Sequence, residues 1–212
     1  MALEFRISGI LRFLSHREMV SVFQRSLARL GIRVSYGGGF NPHPKLSLPL
    51  PRSVSIESEG DIVWFECEDT LDADEFARLI SAELPRGCEI TKVSTGNAGK
   101  MPKAVEATYM IPIRAGMMND KIRAAAKHLV DSDELYVDRI IDDRGRKRKV
   151  NVGRFVLSVD TAGDRVAVIC RIGPEGTIRI GEILELLGIN DSMLSGAVRR
   201  MAVNWESQDF FS

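Results

Sequence analysis

The chain has 212 residues, of which 44% are apolar and 27% charged, and it carries no net charge at pH 7. This composition is typical of a soluble globular protein and excludes a disordered or fibrous chain. No apolar run approaches the roughly 20 residues that a membrane-spanning helix needs. The first residues, MALEFRISG, also lack the basic-then-apolar layout of a signal peptide. We therefore expect a cytoplasmic protein without a membrane partner.

The chain begins with a strand pattern and continues into a helix. Apolar residues alternate over 3–7, and the strand is predicted to resume through residue 13 after a bulge at Gly9. A helix follows over about 16–30. Ser15 and Glu18 form a capping box at its start, because each side chain can bond the backbone N–H of the other.

The remaining patterns repeat the order strand, helix, strand, strand, helix, strand. In the first half they predict strands over 46–54, 61–68 and 89–94, with a helix begun by a second capping box at Asp72 and Glu75. In the second half they predict strands over 107–113, 135–141, 155–159, 166–172 and 198–205, with one helix capped by Asn119 or Asp120 and another ended by Gly188.

This order is that of the split βαβ, or ferredoxin-like, arrangement. We therefore predict an α+β fold of two tandem ferredoxin-like (split βαβ) units with antiparallel sheets, related by duplication. The first unit covers 1–94, a small-residue polar linker covers 95–104, the second unit covers 105–206, and the tail covers 207–212.

A glycine-rich and proline-rich loop follows the first helix. Gly37-Gly38-Gly39 is predicted to allow positive φ and a close backbone approach, and Phe40-Asn41-Pro42-His43-Pro44-Lys45 to form a stiff, exposed segment. Glycines beside donors and a cation are what an anion-binding loop needs. The alternative is a tight connection in which the glycines only turn the chain, and the residues alone leave both open.

Three motifs in this region carry a family resemblance. They are LRFLSHREM at 11–19, YGGGFNPHPKLSLPLP at 36–51 and ESEGD at 57–61. The chain resembles the radical SAM-linked proteins, bacterial domains of undetermined activity that are fused to, or encoded beside, cobalamin-binding radical SAM proteins, often near a ribonuclease G gene. The resemblance is dense over 3–65 and weaker beyond. It implies a radical SAM protein as partner.

The three cysteines, Cys67, Cys88 and Cys170, lie far apart. They lack the close spacing of a structural zinc or iron–sulfur site, so no metal site is predicted. The iron–sulfur cluster, S-adenosylmethionine and cobalamin that the resemblance implies are expected on the partner, and no cofactor is expected on this chain.

Charge is unevenly distributed along the sequence. Residues 1–55 hold eight basic and two acidic side chains, 56–90 are acidic, and a second basic cluster surrounds 144–149. Segregated basic patches indicate a side that faces a polyanion. We therefore predict an accessory module that presents RNA, ribosomal or transfer RNA, to the radical SAM enzyme. The predicted RNA-binding residues are Ser15, Arg17, Arg25, Tyr36, Gly37, Gly38, Gly39, Phe40, Asn41, His43, Lys45, Arg144, Arg146, Lys147, Arg148 and Lys149.

Two other functions fit the same sequence. The chain is similar in outline to the Cas-six-like RNA endonucleases, which implies metal-independent acid–base cleavage by His16 and His43. Their glycine-rich loop lies near the C-terminus, however, whereas the clear one here lies in the first half. The chain could also be a protein–protein adaptor that docks the radical SAM partner and touches no RNA. Catalysis by this chain alone is the less favoured of these predictions.

Overall fold

A computed structural model describes residues 1–38, 40–95, 101–140, 142 and 144–206. These residues form a mixed α+β fold with four α-helices. The chain divides into two compact units, Met1–Ala104 with Ala202–Ser212, and Val105–Met201. The second unit was predicted to continue to residue 206, whereas 202–206 belong to the first. Most of the predicted linker, at 96–100, and the predicted tail at 207–212 lie outside the described residues.

The first unit combines four strands with two helices. In chain order these are β1 (Ala2–Ile7), α1 (His16–Arg29), β2 (Leu46–Ser47), β3 (Glu57–Phe65), α2 (Ala73–Glu83) and β4 (Cys88–Ser94). Strands β4, β1 and β3 are neighbours in that order, and the short β2 pairs with the end of β3 outside that path. Each of these neighbouring pairs is antiparallel.

The core of this unit lies where both helices pack against the sheet. Alternation in β1 buries Leu3, Phe5 and Ile7, while α1 contributes an apolar stripe that includes Phe23. The rings of Phe5 and Phe23 meet edge-on, with centroids 4.8 Å apart. Strand β1 and helix α1 are therefore joined by aromatic packing in the core of the first unit.

Two predicted strands differ from the observed structure. Residues Gly9–Phe13 form a 3₁₀ helix and not the continuation of β1, because Gly9 has φ of 63° and turns the chain out of the strand. The strand predicted over 46–54 shortens to β2, since Pro49 and Pro51 lack the N–H donors that a longer ladder requires. Asp72 caps α2 through the Glu75 N–H, 2.9 Å away.

The second unit is built on an antiparallel sheet with a separate hairpin. Its elements are β5 (Ala104–Pro112), α3 (Asp120–Asp131), β6 (Tyr136–Ile140), β7 (Lys147–Asn151), β8 (Val156–Asp160), β9 (Arg165–Arg171), α4 (Ile180–Leu187) and the start of β10 (Arg199–Trp205), whose residues 202–205 belong to the first unit. Strands β5, β9 and β8 are neighbours in that order and pair antiparallel, and β6 pairs only with β7. The sequence did not predict β7 as a strand.

The caps predicted for the second unit are confirmed. The Asn119 side chain accepts the Ile122 N–H at 3.1 Å, and Gly188 ends α4 in the left-handed region with φ of 67°. Among the described residues no helix is long and apolar enough to cross a membrane.

Candidate functional site

The N-terminus of α1 has the predicted capping box. The Ser15 hydroxyl accepts the Glu18 N–H at 3.3 Å, and the Glu18 carboxylate accepts both the Ser15 N–H and its hydroxyl at 2.7 Å. These bonds, the side-chain one first, lower the pKa of Glu18. Ser15 is thus engaged in the cap, and the first helical residue, His16, lies half-buried beside it.

His16 lines a small cavity beneath the motifs. The cavity has a volume of about 10 Å³, and its other polar lining groups are Arg52 and Asp61. A space of this size holds about one water molecule. His16 therefore faces a water-sized cavity and not a substrate pocket. His43 lies exposed on the glycine–proline loop, and no hydrogen bond between the two imidazoles is found in the described residues.

Arg52 is the buried centre of this region, a role that the sequence analysis missed. It is 8% exposed, and its guanidinium donates to the backbone carbonyls of Leu11, Arg12, Leu14, Ser53 and Ile56. The five donors of a planar guanidinium suit such a set of carbonyls. Arg52 therefore joins the 3₁₀ turn at 9–13 to the loop that precedes β3.

The glycine–proline loop is a narrow hairpin extending from the end of β3. The Gly37 N–H bonds the His43 carbonyl at 2.9 Å, and the Lys45 N–H bonds the Ser35 carbonyl at 2.8 Å. The Glu66 N–H then bonds the Lys45 carbonyl at 3.0 Å, which attaches the hairpin to the sheet. The tip residues Gly38, Phe40, Asn41, Pro42 and His43 are exposed.

The conformation expected of the glycines is wrong where it can be examined. Among the described glycines of this run, neither Gly37 nor Gly38 has positive φ, and a Cβ at Gly38 would meet no atom within 4 Å. Gly39 lies outside the described residues. A side chain at position 38 therefore meets no steric obstacle at its Cβ.

Most basic side chains of residues 1–55 pair with the acidic segment that follows them. Lys45 contacts Glu66 at 2.5 Å and Arg33 contacts Asp69 at 3.1 Å. The other pairs are Arg6–Glu59, Arg6–Glu89, Arg12–Glu57 and Arg29–Glu83. Among the described residues Arg17 and Arg25 make no ion pair. The positive excess counted along the sequence is thus largely balanced in space, and of the basic residues predicted to bind RNA in this unit only these two stay unpaired.

An open groove lies between α1 and the hairpin. It has a volume of about 250 Å³ and is lined by Gln24, Ala28, Ile32, Arg33, Val34, Tyr36 and Pro44. Of these residues only Tyr36 was predicted as a site residue. The others carry no local motif, since helix, turn and hairpin bring together positions up to twenty residues apart.

The basic tract of the second unit covers the residues directly before β7 and the first three residues of that strand. Arg144, Arg146, Lys147, Arg148 and Lys149 are all exposed. Arg146 pairs with Asp142, whereas the described residues show no ion pair for the other four. The basic cluster seen at 144–149 in the sequence is thus exposed on the β6–β7 hairpin.

A buried ion pair fixes this hairpin to the second unit. Arg139 of β6 donates to both carboxylate oxygens of Glu182, at 2.6 and 2.8 Å, and to the Thr177 carbonyl at 2.7 Å. Burial raises the pKa of Glu182, but the hydrogen bonds from Arg139 and from the Arg179 backbone outweigh it, so the pKa is lowered. The hairpin is therefore held in place by its inner face.

The cysteines are core groups. Burial raises the pKa of both Cys88 and Cys170 to about 12, so each thiol is neutral. Cys67 is half-buried, and burial raises its pKa as well. Groups of three or more histidine, cysteine, aspartate or glutamate side chains that could hold a metal are absent from the described part of the chain.

The chain belongs to a bacterial protein family. The family described as "Uncharacterized protein conserved in bacteria (DUF2344)" matches residues 1–187. The resemblance seen in the sequence is confirmed as far as this bacterial family, and its connection with radical SAM proteins stays a prediction. No curated protein matches the chain.

Solved structures give a distant likeness. A chain of the "Crystal Structure of a Cbf5-Nop10-Gar1 Complex" is 14% identical over 95% of this chain, with a TM-score of 0.42. The present chain spans about half of that chain, 48% of its length. A likeness of this size does not establish a common fold.

Proposed function

We propose that this protein is an accessory RNA-binding module that presents ribosomal or transfer RNA to a cobalamin-dependent radical SAM enzyme in the cytoplasm. The partner would carry the iron–sulfur cluster, S-adenosylmethionine and cobalamin. The motifs at 11–19, 36–51 and 57–61 support the choice of partner. The observation that supports RNA binding is the exposed β6–β7 hairpin.

The register of the hairpin separates its two faces. Lys147 lies opposite Ile140, and Lys149 opposite Asp138, on the same face as Tyr136. Tyr136 and Ile140 are 55% and 63% exposed. An exposed aromatic ring beside unpaired cations is the combination that single-stranded nucleic acid requires, since bases stack on the ring and phosphates meet the cations.

The electrostatics of the two units differ in a way that favours this hairpin. Lysines that already pair with carboxylates gain little from a phosphate, because the new contact must replace the old one. Lys45 is such a residue, whereas Lys147 and Lys149 make no ion pair among the described residues. Asp138 lies opposite Lys149 and reduces the positive charge of this face, whereas Lys147 lies opposite the apolar Ile140.

The test compares the salt dependence of RNA binding in two variants. Replacing Lys147 and Lys149 together by alanine should make the slope of log K against log salt shallower by about 1.4 for a single strand, or 0.7 per lost phosphate contact. Arg146→Ala is the matched control, because Arg146 pairs with Asp142, and its slope should stay close to that of the wild type. Equal slopes for all three proteins, or equal affinity for RNA and heparin, would count against the proposal.

The two units also support a finer description of the fold. The order β4-β1-β3, with β2 paired to β3 and a helix after β1 and after β3, is that of a split βαβ unit. In the second unit β5, β8 and β9 follow the same scheme, with the β6–β7 hairpin inserted after the first helix. We infer two ferredoxin-like units related by duplication.

A second observation favours docking of the partner protein by the first unit. Ile10 and Phe13 are 79% and 51% exposed and lie three residues apart in a 3₁₀ helix, where such positions share a face. Val54, 52% exposed, adjoins Ser55, whose N–H bonds the Arg12 carbonyl at 2.8 Å. Exposed apolar residues on a rigid segment are typical of protein interfaces.

The docking hypothesis is tested separately from RNA binding. Phe13→Asp should abolish co-purification with the radical SAM partner and leave RNA affinity unchanged. The double variant of Lys147 and Lys149 should keep co-purification with the partner and lose RNA affinity. Loss of both properties in either variant would show that the two surfaces do not act independently. The endonuclease alternative needs RNA cleavage in EDTA that is lost in His16→Ala.

A further inference from the structure

The groove between α1 and the glycine–proline hairpin has a rigid apolar floor. Ile32 and Val34 are half-buried and pack against the hydrophobic core of the first unit. Val34 is also paired with Cys67, and Tyr36 with Pro44, by antiparallel bridges. The floor and one wall are thus fixed by the sheet and the core. The groove is consequently preformed, as small-ligand sites usually are.

The charge of the groove is balanced. Arg33 lies in its lining, but Asp69 accepts bonds from the Arg33 backbone N–H at 2.8 Å and from its guanidinium at 3.1 and 3.3 Å. Glu68 lies 3.8 Å from the same guanidinium. A cation held by two carboxylates attracts a phosphate weakly. The groove therefore favours a neutral group.

The polar group at the edge of the groove is the side-chain amide of Gln24. Gln24 lies on α1 outside the buried stripe of Met19, Phe23 and Leu27, and its side chain makes no hydrogen bond in the part of the chain that the structure describes. An amide offers one donor and one acceptor side by side. Its complement is a group with an adjacent acceptor and donor, as on the edge of a nucleobase.

Size and shape limit the ligand further. A volume of about 250 Å³ is slightly below the roughly 300 Å³ at which pockets for drug-sized ligands begin. It suits a single ring system. Tyr36, 61% exposed, presents an aromatic ring on which such a system can stack.

We propose that this groove binds one unpaired nucleobase of the RNA, stacked on Tyr36 and hydrogen-bonded on its edge by Gln24. The inference rests on the proposed RNA-binding function and names the element of RNA that the first unit would hold. Because the Arg33–Asp69 pair leaves little positive charge for a phosphate, the groove binds the base and the phosphate stays in solvent. A hydrophobic side chain of a protein partner would fill the floor but leave the Gln24 amide unpaired.

The direct test uses small probes on the ¹⁵N-labelled full chain. Adenosine 5′-monophosphate should shift the amide resonances of Ala28, Ile32 and Val34, whereas ribose 5-phosphate, which lacks the base, should not. Tyr36→Ala should weaken this binding at least about fivefold through the lost stacking, and Tyr36→Phe should retain it. Gln24→Ala should weaken binding as well, while Arg78→Ala, an exposed position on α2 outside the groove, should not.

Each contrary result has a distinct meaning. Equal shifts with both probes would show that a phosphate alone is bound and would overturn the inference. Shifts with an aliphatic tetrapeptide but not with the nucleotide would identify the groove as a protein-docking site and overturn it too. If Tyr36→Ala binds RNA as tightly as the wild type, the base site fails while the hairpin function stands. If the nucleotide binds the groove but no RNA binds the protein, the proposed function fails instead.

Discussion

Arg52→Met is expected to destabilise the first unit strongly. Arg52 is 8% exposed, and its guanidinium donates to five carbonyls that belong to the 3₁₀ turn and to the loop before β3. Hydrogen bonds to charged groups contribute roughly 1.5–3 kcal/mol each, but they are not additive here because some carbonyls would gain water. Removing one partner from a buried charged network costs about 3–5 kcal/mol, and we expect a loss in this range.

The assay follows tryptophan fluorescence during urea unfolding. Both tryptophans, Trp64 and Trp205, belong to the first unit, so their signal reports on that unit. With an m-value of about 2 kcal/mol/M, the midpoint should fall by about 2 M. Arg52→Lys keeps the charge but not the fork of donors, and its midpoint should fall by less.

The control is Arg17→Met, which removes an exposed arginine from α1. Its effect should stay within about 0.5 kcal/mol. A midpoint for Arg52→Met within about 0.3 M of the wild type would refute the reasoning, since a change below 0.6 kcal/mol at that m-value would mean that the carbonyls are satisfied without the guanidinium.

Three further predictions concern local elements. Arg139→Ala should increase hydrogen exchange across β6 and β7, because it releases Glu182. The folded pKa of Glu182 is lowered, so the stability from this pair is present above the unfolded pKa and is lost as the pH falls through the folded pKa. The loss of stability caused by Arg139→Ala should therefore shrink in acid. Retained amide protection in the variant would contradict this. Gly38→Ala should melt like the wild type, as the added Cβ meets open space, and a clear fall in Tm would show that the loop is more constrained than its geometry indicates. Ser15→Ala should cost about 1 kcal/mol through loss of the cap, and Ser15→Asp should restore most of it by the same unfolding measurement.

Local motifs allowed the helix ends to be predicted from the sequence. Helix α1 begins after Ser15 and ends before Gly31, which has φ of 73°. Both signals act within one helical turn, through hydrogen bonds to the nearest backbone groups. No other part of the fold is needed to form them, and for this reason sequence patterns identify them well.

The lengths of strands were not predictable in the same way. Leu46–Ser47 is the whole of β2, although apolar residues continue to position 50. A strand exists only where a partner backbone completes the ladder, and the partner here is the end of β3. That pairing depends on the path of the chain through β1 and α1, which the local sequence does not contain.

The candidate site also combines features that the sequence shows with features that only the fold determines. The sequence by itself showed that the first 55 residues carry a basic excess and that 144–149 hold basic residues with no acidic one between them. It also showed the motifs around residues 11–61 that mark the family. Only the tertiary structure paired Lys45 with Glu66 and Arg33 with Asp69, and only it brought Gln24 and Tyr36 to one groove. It also left Lys147 and Lys149 without an ion pair among the described residues. Charge is summed along a sequence, but Coulomb energy falls with distance in space. Which charges remain available to a ligand is therefore decided by the fold.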